Sequence, residues 1–275
     1  MAHEVLTVLG VGGMGQAIAH RLGAGKTVLL ADNNEAALAA VAEALAAGGH
    51  RVDSQRVDVS SPESVRKVAE HAASLGAVTQ VAHTAGLSPA QASAEAILAV
   101  DLLGTALVLQ EFGEVIAAGG AGVVIASMAG HMFPPLTAEQ ERVLGHTPAA
   151  ELLGLEFVSP HRNSEPGIAY GIAKQANHIR VRAASAQWGR RGARINSISP
   201  GVISTKMGQQ ELASPVGDGM RAMIAASATG RLGTPDDTAA ATAFLLGPDA
   251  SFITGTDLLV DGGVIAAIKA GSPAS

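Results

Sequence analysis

Tyr170 and Lys174 stand four residues apart, and Ser127 closes an apolar run upstream of them. On a helix, positions i and i+4 share a face one turn apart, so the phenol and the ammonium can address the same point. A free tyrosine titrates near ~10 and is almost wholly protonated at neutral pH. A fixed positive charge nearby favours phenolate and lowers that value. The expectation is therefore a proton donor and acceptor at Tyr170, with Lys174 depressing its pKa. Ser127 offers a hydroxyl that could steady charge on a reacting oxygen, although its position also fits a strand-end cap.

A second constellation lies at the start of the chain. The run Gly10-Val11-Gly12-Gly13-Met14-Gly15 follows an apolar stretch at residues 5–9 and opens a helical one. A helix N-terminus presents free N–H groups and partial positive charge, and glycine lets a pyrophosphate approach the backbone closely. Asp32 closes the next apolar run, where a carboxylate can bind the ribose hydroxyls of a dinucleotide and repel a 2′-phosphate. The residues after it are Asn33 and Asn34, with no adjacent Arg or Lys, so NAD is expected and NADP less so. A glycine turn needed only for packing, and an N-cap role for Asp32, are the bland readings of the same residues.

These residues need a scaffold, and the pattern supplies one. Short continuous apolar runs alternate with helical segments along all 275 residues. Strands are expected at residues 5–9, 27–31, 51–59, 78–82, 123–126, 193–198 and 257–260, and helices at 16–22, 35–47, 62 onward, 94–118, 168–189 and 235–246. Ser61-Pro62-Glu63 reads as N-cap, first helical residue and first-turn acid. Buried strands joined by helices mean a parallel sheet covered on both faces. The fold class is α/β: a single-domain, Rossmann-type, doubly wound parallel sheet in three α/β/α layers, spanning residues 1–275. Residues 130–167 break the alternation, holding several prolines and short helices at 137–144 and 149–155. A connection this long is expected to be functional, as a lid over the cleft or as a change in a subunit contact.

Composition excludes several classes. With 48% hydrophobic and 3% aromatic residues, the core must be built from Ala, Val, Leu and Ile. The net charge of −6 argues against a nucleic-acid partner. The absence of cysteine removes disulfides, thiolate chemistry and Cys-based zinc sites. No leader peptide or membrane span is expected, and a cytoplasmic protein is the default. The nine histidines show no paired spacing, so no metal site is expected. His83 and His131 flank the expected cleft, where contact with substrate competes with the plainer reading of surface or satisfied core roles; Arg190, Arg191 and Arg194 read as a solvated helix end, and Asn177 reads as packing.

Taken in order, these motifs resemble the short-chain dehydrogenase/reductase family. The resemblance runs from Gly10 to Gly263 through Asp58-Val59, Thr84-Ala85-Gly86, Ser127-Met128-Ala129-Gly130, Tyr170-x-x-x-Lys174, Ser199-Pro200-Gly201, Gly230-Arg231-Leu232-Gly233-Thr234-Pro235 and Val260-Asp261-Gly262-Gly263. It implies that Tyr170 is the acid/base, that Lys174 lowers its pKa and binds the nicotinamide ribose, and that Ser127 bonds the substrate oxygen. It also implies adenine contacts at Asp58 and Val59, nicotinamide contacts at Pro200, Gly201 and Ile203, and a phosphate contact at Thr205. Three positions depart from the family pattern. The glycine loop is one residue short, Thr84 replaces an Asn, and Asp101 stands where an Asn would join a proton relay.

The function expected is interconversion of a secondary alcohol and a ketone, as a homodimer or homotetramer built through the long helices. Apolar residues in 130–167 and 202–228 hint at an apolar or cyclic alcohol. The alternatives are a dinucleotide-binding sensor or scaffold and a sugar-nucleotide epimerase, the latter lacking its usual C-terminal substrate domain here.

Overall fold

The computed structural model of the protein describes residues 3–159 and 163–271; of the C-terminal tail that the sequence suggests is frayed, Gly271–Ser275, all but Gly271 lie outside this range, as does Pro160. The first half runs β1 (Glu4–Leu9), α1 (Gly13–Leu22), β2 (Thr27–Asp32), α2 (Glu35–Ala47), β3 (Arg51–Arg56), α3 (Pro62–Leu75) and β4 (Ala77–His83). A long helix follows, in which α4 (Ala94–Ile97) and α5 (Thr105–Val115) flank a π-helical stretch, Leu98–Gly104. The chain continues through β5 (Ile116–Ile125), α6 (Ala138–His146), α7 (Pro166–Arg190), β6 (Arg194–Pro200), α8 (Lys206–Leu212), α9 (Gly217–Ala226), α10 (Pro235–Leu246), β7 (Asp257–Val260) and α11 (Val264–Ala270).

The strands form one parallel sheet in the order β3-β2-β1-β4-β5-β6-β7. Alternation along each strand sends side chains to opposite faces. Val5 and Leu9 of β1 join a core with Leu29, Val65, Leu102 and Phe112. Leu6 and Val8 join a second core with Ile18, Val28, Leu30 and Leu38. Helices α3, α5 and α7 cover the first face, and α1, α2 and α10 cover the second, giving the three layers expected. Strand order reverses between β1 and β4, and in such sheets a crevice opens at the carboxyl ends of the strands there.

Local chemistry explains several boundaries. Ser61 accepts from Ser64 N and Pro62 opens α3. Thr234 and Asp237 form a reciprocal capping box at the start of α10. The third strand is shorter than expected, ending at Arg56, and the bond from Val57 N to Asp32 O at 3.0 Å is the last rung of its ladder with β2. The long helix ends at Val115, and β5 begins at once in the apolar run that continues it. Ala94–Val115 has a mean hydropathy of 1.6 and is long and apolar enough to cross a membrane, but it is mostly buried within the fold.

Helix α7, which carries Tyr170 and Lys174, is held along its length. Trp188 Nε1 donates to Leu109 O at 3.0 Å and the ring is fully buried. The segment 130–167 packs on the outer side of α7. Arg180 Nη1 bonds the carbonyls of Leu144, Gly145 and Thr147, at 2.6 Å for the last, and Arg182 pairs with Glu141 at 3.1 Å. Leu144, Leu152 and Val158 are buried in the shared core. The segment therefore buttresses α7, and none of its described residues lines the dinucleotide cleft. It also covers part of the helical face expected to carry subunit contacts. Arg194 is no solvated helix end: it lies on β6 and donates to the carbonyls of Leu245, Ile253 and Gly247.

Candidate active site

A cleft of about 400 Å³ opens at the switch point between β1 and β4. Gly10, Gly12, Gly13, Met14, Gly15, Asp32, Asn33, Asp58, Val59, Thr84, Ala85, Gly86 and Thr205 line it, each expected from the sequence. Val57, Leu87, Gln91, Val100, Lys206 and Met207 also line it and were not anticipated. They come from the loops after β3 and β4, from the π-helical stretch and from the first turn of α8. Gly201 and Ile203 line a neighbouring cavity of about 320 Å³ instead, and Pro200 lines neither.

The glycine loop is built for close approach. Gly10 has φ +98°, and a Cβ there would stand 2.5 Å from Ala85 N and 2.7 Å from Thr84 Oγ1. Thr84, in place of the family Asn, donates to Gly10 O at 2.8 Å and so fastens the two loops together. Gly12 is the N-cap of α1; it has no side-chain cap, and a Cβ there would meet no atom within 4 Å. No acidic residue occupies the first turn of α1. An uncapped helix start facing open space is an anion site, and the residues present fit a dinucleotide pyrophosphate despite the shortened loop. A Cβ on Gly15 would overlap the Gly10 carbonyl oxygen. Gly15→Ala is therefore expected to abolish dinucleotide binding in a fluorescence titration while the protein remains folded by circular dichroism; retained affinity would show that the loop can open.

Asp32 is not the cap of α2; Asn34 is, accepting from Ala37 N at 3.0 Å. The Asp32 carboxylate accepts from Val11 N at 2.7 Å and Asn34 N at 2.8 Å, which fixes it at the cleft wall. No basic residue follows it in sequence, yet β3 brings Arg56 opposite Asp32, where its guanidinium donates to Asn33 Oδ1 at 2.8 Å. Asp58 is turned towards its own loop, accepting from Ser60 N and Oγ.

Tyr170, Lys174 and Ser127 come together as expected. Lys174 Nζ lies 5.3 Å from the Tyr170 ring centroid, and the Ser127 hydroxyl is close enough to the phenol to favour its ionised form. Lys174 Nζ would also stand 3.3 Å from a Cβ on Gly86, which places the ammonium at the cleft wall. The charge balance differs from expectation. Asp101 Oδ2 pairs with Lys174 Nζ at 2.9 Å, and both side chains are almost fully buried. Burial raises the Tyr170 pKa above its ordinary value; Lys174 opposes this, but Asp101 reinforces it. The expected depression of the phenol is thus absent in this state. Burial alone would lower the Lys174 pKa, but Asp101 and then Tyr170 outweigh it and hold the ammonium charged.

Asp101 owes its position to the π-helical stretch. Thr105 Oγ1 donates to Asp101 O at 2.8 Å, and the Asn177 amide, oriented by its neighbours, donates to the same carbonyl at 2.9 Å. The Asp101 side chain accepts from Leu87 N at 2.8 Å. It is an ion-pair partner of Lys174, where the sequence suggested a relay position. Asn177 has more than a packing role, since it helps hold the distorted turn. Asp101→Asn removes the negative charge that raises the Tyr170 pKa, so that pKa should fall. Tyr170 is the chain's only tyrosine, so ultraviolet absorbance reads its ionisation directly. An unchanged or higher midpoint in the variant would contradict the charge balance described.

The remaining histidines divide by environment. His83 is buried on β4, its pKa lowered to about 3 by burial and then by Lys174, and it touches Thr105 Oγ1 at 3.3 Å. It belongs to the core and not to the cleft. His131 turns away from the cleft and meets Asp257 at 2.8 Å. His178 lies against the same carboxylate, its pKa lowered to about 4 chiefly by burial.

Comparison with known proteins agrees with this geometry. A family model described as short chain dehydrogenase matches residues 4–138, and one described as enoyl-(acyl carrier protein) reductase matches residues 136–265. The chain is 42% identical over 97% of both chains to the short-chain dehydrogenase/reductase bsc3 of Alternaria brassicicola. It is 32% identical to the D-threitol dehydrogenase of Mycolicibacterium smegmatis, over 81% of this chain and 78% of that one. A short-chain type dehydrogenase/reductase structure from Mycobacterium ulcerans has the same fold, with TM-score 0.75, 22% identity and coverage of 96% and 90%.

Proposed function

The chain belongs to the short-chain dehydrogenase/reductase family and is an NAD(P)-dependent oxidoreductase acting on CH–OH groups, and we infer that it uses NAD with Tyr170 as its acid/base. The observation that carries this reading is the meeting of Ser127, Tyr170 and Lys174 beside a glycine-walled cleft with Asp32 fixed in it. The alternative of a sensor or scaffold has no such support.

Gly10 to Gly15 and Thr205 would hold the pyrophosphate, Asp32 the adenosine ribose, and Val59 the adenine side. When bound, the nicotinamide supplies or accepts the hydride. In alcohol oxidation the Tyr170 phenolate takes the hydroxyl proton, and in ketone reduction the phenol returns it. Ser127, beside the phenol, is placed to donate to the substrate oxygen as charge develops there. Lys174 supplies the positive charge that favours phenolate.

NAD is the preferred cofactor because the Asp32 carboxylate is locked in place by two backbone N–H groups and would repel a 2′-phosphate. Arg56 is the observation favouring NADP, but its guanidinium is engaged by Asn33 and Glu35. The substrate is a secondary alcohol with an apolar or cyclic body, a reading supported by the apolar cluster of Met128, Val202, Leu212 and Ile224 where α8 and α9 follow β6. Fluorescence titration with NADH and NADPH, followed by a turnover screen over cyclic and acyclic secondary alcohols, tests these points. Tighter binding of NADPH would reverse the cofactor assignment, and turnover confined to open-chain polyols would reverse the substrate class.

A further inference from the structure

A second side-chain cluster lies one turn beyond Lys174 along the same face of α7, outside the residues that line the dinucleotide cleft. His131 ends the short turn that starts after Ser127, His178 stands two turns beyond Tyr170 on α7, and Asp257 opens β7. His131 Nε2 lies 2.8 Å from Asp257 Oδ2, and His178 Nε2 lies 3.5 Å from Asp257 Oδ1. The three donor atoms are all within 4.8 Å of one another, and the imidazole centroids are 4.5 Å apart. All three side chains are largely buried, with exposures of 22%, 12% and 11%. Among the described residues, no lysine or arginine pairs with Asp257; its only ionic neighbours are these two histidines.

The surroundings hold the cluster in place. Ser197 Oγ and Ser199 Oγ donate to Asp257 Oδ1 at 2.6 and 3.0 Å. Ser199 Oγ also lies 2.8 Å from His178 Nε2. Because the Ser199 proton is directed to the carboxylate, its oxygen accepts from His178. A Cβ on Gly130 would stand 2.7 Å from His178 Cε1 and 2.8 Å from the Lys174 backbone. The turn bearing His131 is thus pressed against α7.

We propose that His131, His178 and Asp257 form a binding site for a late first-row divalent metal ion of the zinc class. Two imidazole nitrogens and one carboxylate oxygen make a donor set suited to such ions, whereas magnesium and calcium favour oxygen donors throughout. Zinc–ligand distances of about 2.0–2.1 Å put tetrahedral donors roughly 3.3 Å apart. His178 and Asp257 already stand at close to that separation. That contact of His178 is to Oδ1, whereas His131 meets Oδ2, so His131 must turn its Nε2 away from Oδ2 to the ion shared by Oδ1 and His178, and it is the most exposed of the three. His178 would shift its proton to Nδ1, freeing the Nε2 lone pair, while the serines keep the carboxylate oriented as supporting groups do in metal sites. Water fills the fourth position from the exposed side. The ion would bind the turn after Ser127 and helix α7 to β7, tying two parts of the proposed catalytic set to the sheet edge without taking part in hydride transfer.

The test is zinc binding by the chelator-treated full chain, followed by isothermal titration and by the visible absorption of the cobalt-substituted protein. The wild type should take up one equivalent and melt at a higher temperature when loaded. Asp257→Asn, His178→Gln and His131→Gln should each weaken binding at least tenfold, and Ser199→Ala should weaken it about tenfold. His20→Gln should leave it unchanged, although His20 and His50 form the other close histidine pair among the described residues. If Asp257→Asn fails to fold, His131→Gln at the exposed ligand decides the matter. No uptake by the wild type, or uptake that survives His131→Gln and His178→Gln, overturns the proposal.

Discussion

Tyr170→Phe should lower kcat by about 10²–10⁴-fold, the range expected for loss of a general acid/base, with dinucleotide affinity unchanged. The argument rests on how little the substitution removes. The ring remains, so the Lys174 ammonium keeps the aromatic face 5.3 Å from its nitrogen, and the buried Lys174–Asp101 pair keeps both members. Only the hydroxyl that Ser127 contacts is lost. Tyr170 is not among the residues that line the dinucleotide cleft. A fall in kcat with KM for the dinucleotide preserved would therefore isolate proton transfer. Activity reduced by less than about tenfold would place the effect below that expected of a general acid/base and move the role to another group, with Ser127 the first to examine.

The parts of this site that were legible in sequence are those set by neighbours in the chain. Glycines at 10, 12, 13 and 15 act through their own backbone, Asp32 stands at the end of its own strand, and Tyr170 and Lys174 share one helical turn. The bounds of α2, α10 and β7 were equally readable, because capping residues and glycine stops mark them locally. What escaped was decided by distant contacts. The π-helical turn exists because Asn177 and Thr105 both claim one carbonyl. The upward direction of the Tyr170 pKa comes first from burial by the folded surroundings, and Asp101, reaching it from another helix, adds to it. His131, His178 and Asp257 meet only because β7 pairs with β6 at the sheet edge and the turn after Ser127 packs against α7. The segment 130–167 stood out by its length, but the side of α7 it covers is written in Arg180 and Arg182, outside it.

Lys174→Met should be inactive and should also lose about 3–5 kcal/mol of stability, the cost of leaving a buried charge without its partner. Asp101 is fully buried, and its remaining described hydrogen bond comes from Leu87 N at 2.8 Å. Without the ammonium its carboxylate must stay charged in an apolar site or take up a proton. Chemical denaturation would read the loss as a lower midpoint with an unchanged slope. The double variant Lys174→Met, Asp101→Leu separates the two roles of the lysine. Replacing a buried ion pair with apolar side chains is often neutral or stabilising, so the double variant should recover most of the stability. Leu87 N would then lack its acceptor, which limits the recovery by about 1–3 kcal/mol. Turnover should not return, because the positive charge facing Tyr170 is still missing. Recovery of activity with stability would mean that Lys174 serves the fold alone and that the phenol needs no neighbouring cation.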